Sequence, residues 1–250
     1  MTERITSRQN KTIKYVRALS GDKALRQEKK EFVCDGEKLL SEAIAENADI
    51  SIVLVCEEYA EKLPEIPGAD VYVTTRDILD SVTTLKNAQN VIFVCRMKKI
   101  EGKKVKTAIL LDRLQDTGNV GTIIRTADAF GIDAVFEDGC ADIYNPKTIR
   151  SAMGSIFRVP VISENFESFI PCLRSEGIKV YASELYGEVK EISECDLKNA
   201  AIVIGNEGNG VRREISSICD GSVIIPMCGG AESLNASVAA AVFMYEMSRK

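Results

Sequence analysis

From Thr107 onward the sequence switches repeatedly between short apolar runs and helical patterns, and this alternation limits the fold more than any other feature of the chain. Apolar runs at 108–111, 134–136, 159–162, 179–182, 201–204 and 223–226 have the length of buried strands, while helical patterns fill 119–130, 146–153, 166–176, 211–218 and 233–247. Gly131 and Gly177 stand where two of those helices should close. Strand and helix in strict succession predict an α/β domain with a largely parallel sheet, whose ligand site belongs at the loops after the carboxyl ends of the strands.

Residues 32–95 read as a smaller mixed α/β unit. Gly36 opens a helix with Leu39, Leu40, Ala43 and Ile44 on one face, apolar runs follow at 52–56, 71–73 and 91–95, and a short helix is expected near 76–80. A polar, lysine-rich stretch containing Gly102 separates the halves, so the expected organisation is one domain at 1–97, a linker at 98–106 and a second domain at 107–250. The 250 residues are 45% hydrophobic, which suffices for a sizeable core. No window approaches the ~18 uncharged apolar residues of a membrane span, and the N-terminus leads into polar sequence, so a cytoplasmic protein is expected.

The chain contains no histidine. Ser-His-Asp and Cys-His catalysis, histidine zinc motifs and histidine-ligated haem are excluded, and acid-base chemistry is left to Asp, Glu, Lys, Arg, Tyr, Cys or the substrate. Cysteines at 34, 56, 95, 140, 172, 195, 219 and 228 are too widely spaced for a C-x-x-C pair or a zinc knuckle. They read as scattered reduced thiols, and no metal is expected.

A net charge of -5 conceals an asymmetry, because residues 1–106 carry 19 Lys+Arg against 17 Asp+Glu and residues 107–250 carry 13 against 20. Arg4, Arg8, Lys11, Lys14 and Arg17 recur at helical spacing, opposite Ile13, Val16 and Leu19. Such a stripe can follow a phosphate backbone; it can equally be a solvated helix face.

Three loops could carry chemistry. In the first, 116–125, Val120, Ile123, Ile124 and Ala127 form a core stripe that turns Arg125 outward; taken alone, Asn119 reads as a helix cap and Arg125 as a surface ion-pair residue. The second runs Ile204-Gly205-Asn206-Glu207-Gly208-Asn209-Gly210 after a strand, and places an acid inside a glycine-rich turn. It is not the dinucleotide fingerprint, which weakens a nucleotide-dependent oxidoreductase. The third runs from Ile225 through Met227 and Gly229-Gly230 to Ser233, Leu234, Asn235 and Ser237, where a helix start offers unpaired N–H groups and Ser233 could be its cap.

Together these segments resemble the SpoU branch of the SPOUT RNA methyltransferases, also called the TrmH family. The pattern N-x-G-x-x-x-R matches Asn119, Gly121 and Arg125; G-x-E-x-x-G matches Gly205, Glu207 and Gly210; and the third pattern matches Ile225 to Met227 with Ser233, Leu234, Asn235 and Ser237. Arg150 to Gly154 with Phe157 to Pro160 looks like a further family segment, and Ile5 to Asn10 and Gly36 to Ala43 are similar to the family's substrate-binding domain. The resemblance implies a C-terminal parallel-sheet SPOUT domain with a trefoil knot, a small N-terminal α/β RNA-binding domain, a homodimer, and S-adenosylmethionine as methyl donor to a ribose 2′-hydroxyl. Ribosomal RNA is expected ahead of transfer RNA; the rival is a non-catalytic RNA-binding protein that keeps the fold.

By the same resemblance the catalytic residues are Asn119, Arg125, Glu207, Ser233 and Asn235. The cofactor is assigned to Ile204, Gly205, Glu207, Gly210, Ile225, Met227, Ser233, Leu234 and Asn235, with a further loop near 183–185. RNA is assigned to Arg4, Arg8, Lys11, Lys14 and Arg17. A guanidinium is a permanent cation, so Arg125 is expected to hold phosphate and the developing alkoxide rather than accept the proton. Asn119 and Asn235 are expected to orient Arg125 and the loop backbone, and Glu207 to fix the glycine-rich loops or the ribose.

Overall fold

Each half of the chain builds its own sheet. The structure, a computed structural model, describes residues 3–84, 88–98, 104–184 and 189–249. The first sheet contains β1 (Glu3–Ile5), β2 (Glu31–Asp35), β3 (Ile50–Cys56), β4 (Asp70–Thr74) and β5 (Val91–Arg96) in the order β1-β4-β3-β5-β2. The strands β1, β4 and β3 run parallel, whereas β5 is antiparallel to β3 and β2.

The β3 sequence ISIVLVC and the β5 sequence VIFVCR carry apolar side chains on both faces because both faces are covered. Leu54, Ile92 and Val94 pack with Ile13, Val16 and Leu19 of α1 (Lys11–Gly21). On the other face Val53, Val55 and Phe93 pack with Leu39, Leu40 and Ala43 of α3 (Glu37–Ala45). The short helices α2 (Lys23–Lys29) and α4 (Arg76–Asp80) complete this part, and α2, β1 and β2 are elements that the periodicity did not announce.

The proposed five-cation helical stripe is not formed. The Asn10 side chain accepts the Thr12 N–H at 2.8 Å and caps α1, so the helix begins only at Lys11. Arg4 lies on β1, opposite Val73, and binds Glu57 at 2.5 Å; Arg8 lies before the cap and pairs with Asp77, its Nε at 2.9 Å. Arg17 donates to the Ser81 carbonyl and hydroxyl, both at 2.8 Å. Lys11 and Lys14 are exposed.

The second sheet is parallel throughout. Its strands are β6 (Ala108–Asp112), β7 (Ala134–Asp138), β8 (Val161–Ser163), β9 (Lys179–Ser183), β10 (Val189–Glu191), β11 (Ala200–Ile204) and β12 (Gly221–Ile224), in the order β10-β12-β9-β11-β6-β7-β8. One face buries Leu110, Phe136, Val180 and Val203 against Phe166, Ile170 and Leu173 of α8 (Phe166–Ser175) and Ile215 of α9 (Arg213–Ser216). Elsewhere α10 (Ala236–Ser248) packs against β11 and against α5 (Thr117–Phe130), which ends at Gly131 in a left-handed cap with φ 66°. Between β7 and β8 come α6 (Pro146–Ala152) and the single turn α7 (Ser155–Arg158). The chain divides into two units, Met1–Lys99 with Tyr144–Phe157, and Ile100–Ile143 with Arg158–Lys250, so α6 has its contacts with the N-terminal sheet: Ile149 joins the Phe32 and Phe93 cluster. Most of the expected linker, 99–103, lies outside the described residues.

At the carboxyl ends of β6 and β7 an ionic clasp closes the second unit. Arg212 Nε binds Asp112 at 2.6 Å, its Nη2 binds Asp138 at 2.6 Å, and its backbone N–H donates to the second Asp112 oxygen at 2.8 Å. Asp112 is fully buried, so Arg212 supplies the counter-charge that its ionised form requires. Arg212→Met should therefore cost about 3–5 kcal/mol in a urea melt at neutral pH. Combining it with Asp112→Asn should recover part of that loss, and no recovery would show that the clasp acts by packing alone.

Candidate active site

The loops leaving β6, β11 and β12 meet at one end of the parallel sheet, and their side chains are joined by hydrogen bonds. Asp116 caps α5 by accepting the Asn119 N–H at 2.7 Å, so Asn119 sits in the first turn rather than at the cap. This frees the Asn119 side chain, whose amide donates to Glu207 Oε1 at 3.1 Å and accepts from Asn235 Nδ2 at 3.0 Å. Asn235, not Ser233, caps α10: its Oδ1 accepts the N–H groups of Ser237 at 2.9 Å and Val238 at 3.3 Å, and the helix begins at Ala236. An amide at that position serves both as cap and as donor, which a serine hydroxyl two residues earlier could not.

Glu207 is the acceptor on which this chain ends. Besides Asn119, it accepts the backbone N–H of Gln115 at 3.3 Å and of Asp116 at 3.4 Å. Partial burial pushes the Glu207 carboxyl upward, but the Asn119 amide and the backbone donors outweigh it and hold the group below its usual range. Glu207 is therefore an ionised tie between the β6–α5 loop and the β11–α9 loop.

Gly205 is required by its own loop. Asn206 and Gly210 exchange two backbone hydrogen bonds at 2.9 Å, folding the loop back so closely that a Cβ on Gly205 would overlap the Gly210 carbonyl carbon and the Val211 nitrogen. Gly210 has φ 70°. The third loop is open: among the described residues 226–234 make no hydrogen bond, and Met227 and Leu234 are 38% and 36% exposed. Apolar faces and free backbone donors in one loop are what a flat, polar-edged ring such as adenine requires, so these residues fit the adenosine half of S-adenosylmethionine.

The structure thus brings Asn119, Glu207 and Asn235 into direct contact, with Gly205, Gly210, Ile225, Met227, Ser233 and Leu234 on the same loops. Arg125 is exposed on α5, as expected, and has no hydrogen-bonding partner among the described residues. The expectation that Asn119 and Asn235 orient Arg125 is not met, because both amides are occupied with each other, with Glu207 and with the start of α10. Asp116, Arg212 and the strand-end acids Asp112 and Asp138 escaped the sequence reading; the D-x-x-N spacing before α5 and an aspartate closing the A-I-L-L run were their signals. Leu185 of the proposed further loop lies outside the described residues.

Two expectations follow. Gly205→Ala should lower stability by about 2–3 kcal/mol, measured by thermal melting, because neither neighbour is a flexible side-chain end that could give way. Glu207→Gln should give a stability deficit that is constant above about pH 5 and closes as pH falls below ~4.3, since a carboxylate with a lowered native pKa stabilises only where the unfolded chain is already ionised. A deficit independent of pH down to 3 would deny the tie its charge.

Comparison with known proteins finds matches to both halves of the chain. The SpoU rRNA Methylase family pattern matches residues 106–245, and the MRM3-like substrate binding domain matches residues 10–92. The chain is 35% identical over 246 residues, 98% of its length and 99% of the relative's, to the 23S rRNA (guanosine(2553)-2′-O)-methyltransferase RlmP of Bacillus subtilis. Among solved structures it is similar to an AdoMet-bound rRNA methyltransferase from Sinorhizobium meliloti, with TM-score 0.89, 30% identity and coverage of 98% and 97% of the two chains. It is also similar to the SpoU methyltransferase AviRb from Streptomyces viridochromogenes, with TM-score 0.83, 28% identity and 96% coverage of each chain. With three motif loops joined at the strand ends and both halves matched, this chain belongs to the SpoU family of RNA methyltransferases.

Proposed function

We propose that the chain transfers a methyl group from S-adenosylmethionine to a ribose 2′-hydroxyl of ribosomal RNA. The carrying observation is the hydrogen-bonded chain Asn235–Asn119–Glu207, which ties all three motif loops together at the carboxyl ends of a parallel sheet. When bound, the donor supplies a methyl group on a sulfonium, already a good leaving group. The residues assigned to hold it are Ile204, Gly205, Glu207, Gly210, Ile225, Met227, Ser233, Leu234 and Asn235.

The chain's own task is to make a neutral hydroxyl a nucleophile without histidine. A guanidinium is a poor base, so the role of Arg125 is to hold an RNA phosphate and stabilise the alkoxide as it develops, while the proton leaves to phosphate or solvent. Asn119 and Asn235 keep the loops in register, and Glu207 fixes the first two against each other. Ser233, exposed before α10 and without a hydrogen bond among the described residues, is free to reach donor or ribose. No metal enters this scheme.

On the N-terminal unit RNA is assigned to the exposed Lys11 and Lys14 and to Arg4, Arg8 and Arg17; breaking the Arg4–Glu57 and Arg8–Asp77 pairs is part of the cost of binding. The RlmP relative acts on 23S rRNA by its name, and this favours ribosomal over transfer RNA. A homodimer is supported by α10, where Val238 and Tyr245 are 49% and 54% exposed on a helix that is apolar nearly all round. The position of β12 between β9 and β10 suits the family's trefoil knot. Eight free cysteines and an RNA substrate suit a cytoplasmic location, and among the described residues no helix is long and apolar enough to cross a membrane.

Mapping ribose methylation in ribosomal and transfer RNA from cells with and without the protein tests the reaction: a 2′-O-methyl lost from ribosomal RNA is expected, and loss from transfer RNA alone would reassign the substrate. Arg125→Lys should lower kcat at least tenfold across pH 6–9 without introducing a new ionisation. Full kcat appearing with the pKa of lysine would make the residue a base.

A further inference from the structure

Resting on the reading of the chain as an RNA methyltransferase, we propose that Arg113 is a second substrate-phosphate contact, built into the active-site end of β6. Among the arginines of the second unit, Arg158, Arg174, Arg212 and Arg249 are each held by a carboxylate. Arg113, Arg125 and Arg213 have no such partner among the described residues and are exposed. Arg213 opens the short helix α9, whereas the backbone of Arg113 is bonded directly to Gln115 and Asn206 of the site loops.

The placement of Arg113 is specified from several sides. Its backbone adopts φ 57°, a left-handed conformation that favours glycine or asparagine. Its N–H donates to the Asp138 carbonyl at 3.0 Å, and its own carbonyl accepts from Gln115 Nε2 at 3.0 Å and from Asn206 Nδ2 at 2.8 Å. Asn206 adjoins Glu207, and Gln115 donates to it, so the anchor points of Arg113 are those of the catalytic loops. The stem of the side chain lies across Gly139, where a Cβ would meet Arg113 Cγ at 3.5 Å.

A long cation with an unfavourable backbone, a supported stem and no internal anion is arranged for an external one. At this end of the sheet the chemistry of the reaction supplies a phosphodiester, which a planar guanidinium binds in fork geometry. Arg125 and Arg113 would then hold phosphates at two places along the bound strand, which limits how the nucleotide between them can lie.

Arg113→Asn removes the charge while keeping a residue that accepts a left-handed backbone, and Arg113→Lys keeps the charge without the fork. With in-vitro-transcribed large-subunit ribosomal RNA as probe, Arg113→Asn should raise the KM for RNA about tenfold, leave S-adenosylmethionine binding and melting temperature unchanged, and reduce the slope of log Kd against log salt by roughly 0.7–0.9. Lys should restore most of the salt slope and only part of the KM. Unchanged KM and salt slope in Arg113→Asn, with an active wild type, would overturn the contact while leaving the methyltransferase reading intact. An inactive wild type that still binds this RNA would overturn the reading, and the salt slope would then decide the contact by itself.

Discussion

A single ionised carboxylate holds the candidate site together. Among the described residues the Glu207 carboxylate accepts from the backbone N–H groups of Gln115 and Asp116 and from the Asn119 amide, a set of donors that suits an ionised acceptor. That requirement propagates. Because Glu207 takes the NH₂ end of the Asn119 amide, its oxygen must face Asn235; because Asn235 then donates with nitrogen, its oxygen faces the first turn of α10. The hydrogen-bond direction runs one way from a helix start to an exposed glycine-rich turn, and reversing either amide would break at least two bonds.

The distribution of cations follows the same logic. The strand-end acids Asp112 and Asp138 draw in Arg212 and neutralise it, so that charge belongs to the scaffold and not to the substrate. In the N-terminal unit Arg4 and Arg8 are likewise taken up by acids of the same unit. A basic residue count therefore overstates the charge available to a polyanion, and the free lysines and arginines are a smaller, more specific set.

Much of the parallel sheet was legible because its strands are apolar runs buried on both faces and its helices repeat at 3.6 residues. Boundaries were harder where capping decided them: Asp116 and Asn235 begin their helices two residues before and three residues after the expected starts, and only the side-chain acceptor marks the difference. Short edge strands such as β1 and β10 escaped, since three residues carry no period. The motif residues were recognisable by resemblance, but what joins Asn119 to Asn235 and Glu207 was not, because hydrogen-bond partners far apart in sequence leave no local pattern. Nor does sequence separate a glycine needed by a ligand from one needed by its own loop, as at Gly205.

The register of the central strands has a consequence for the order of folding. β6 pairs with β11, so Leu111 lies beside Ile204, and the site bonds that follow span 92 residues to Gln115 and 116 residues to Asn119. Closing loops of that size loses entropy before any contact is gained, and parallel pairings of this kind give a high contact order and a slow fold. The loops at the strand ends cannot organise until the sheet beneath them exists, so the Asn235–Asn119–Glu207 chain closes only after α10 has packed against α5 and β11.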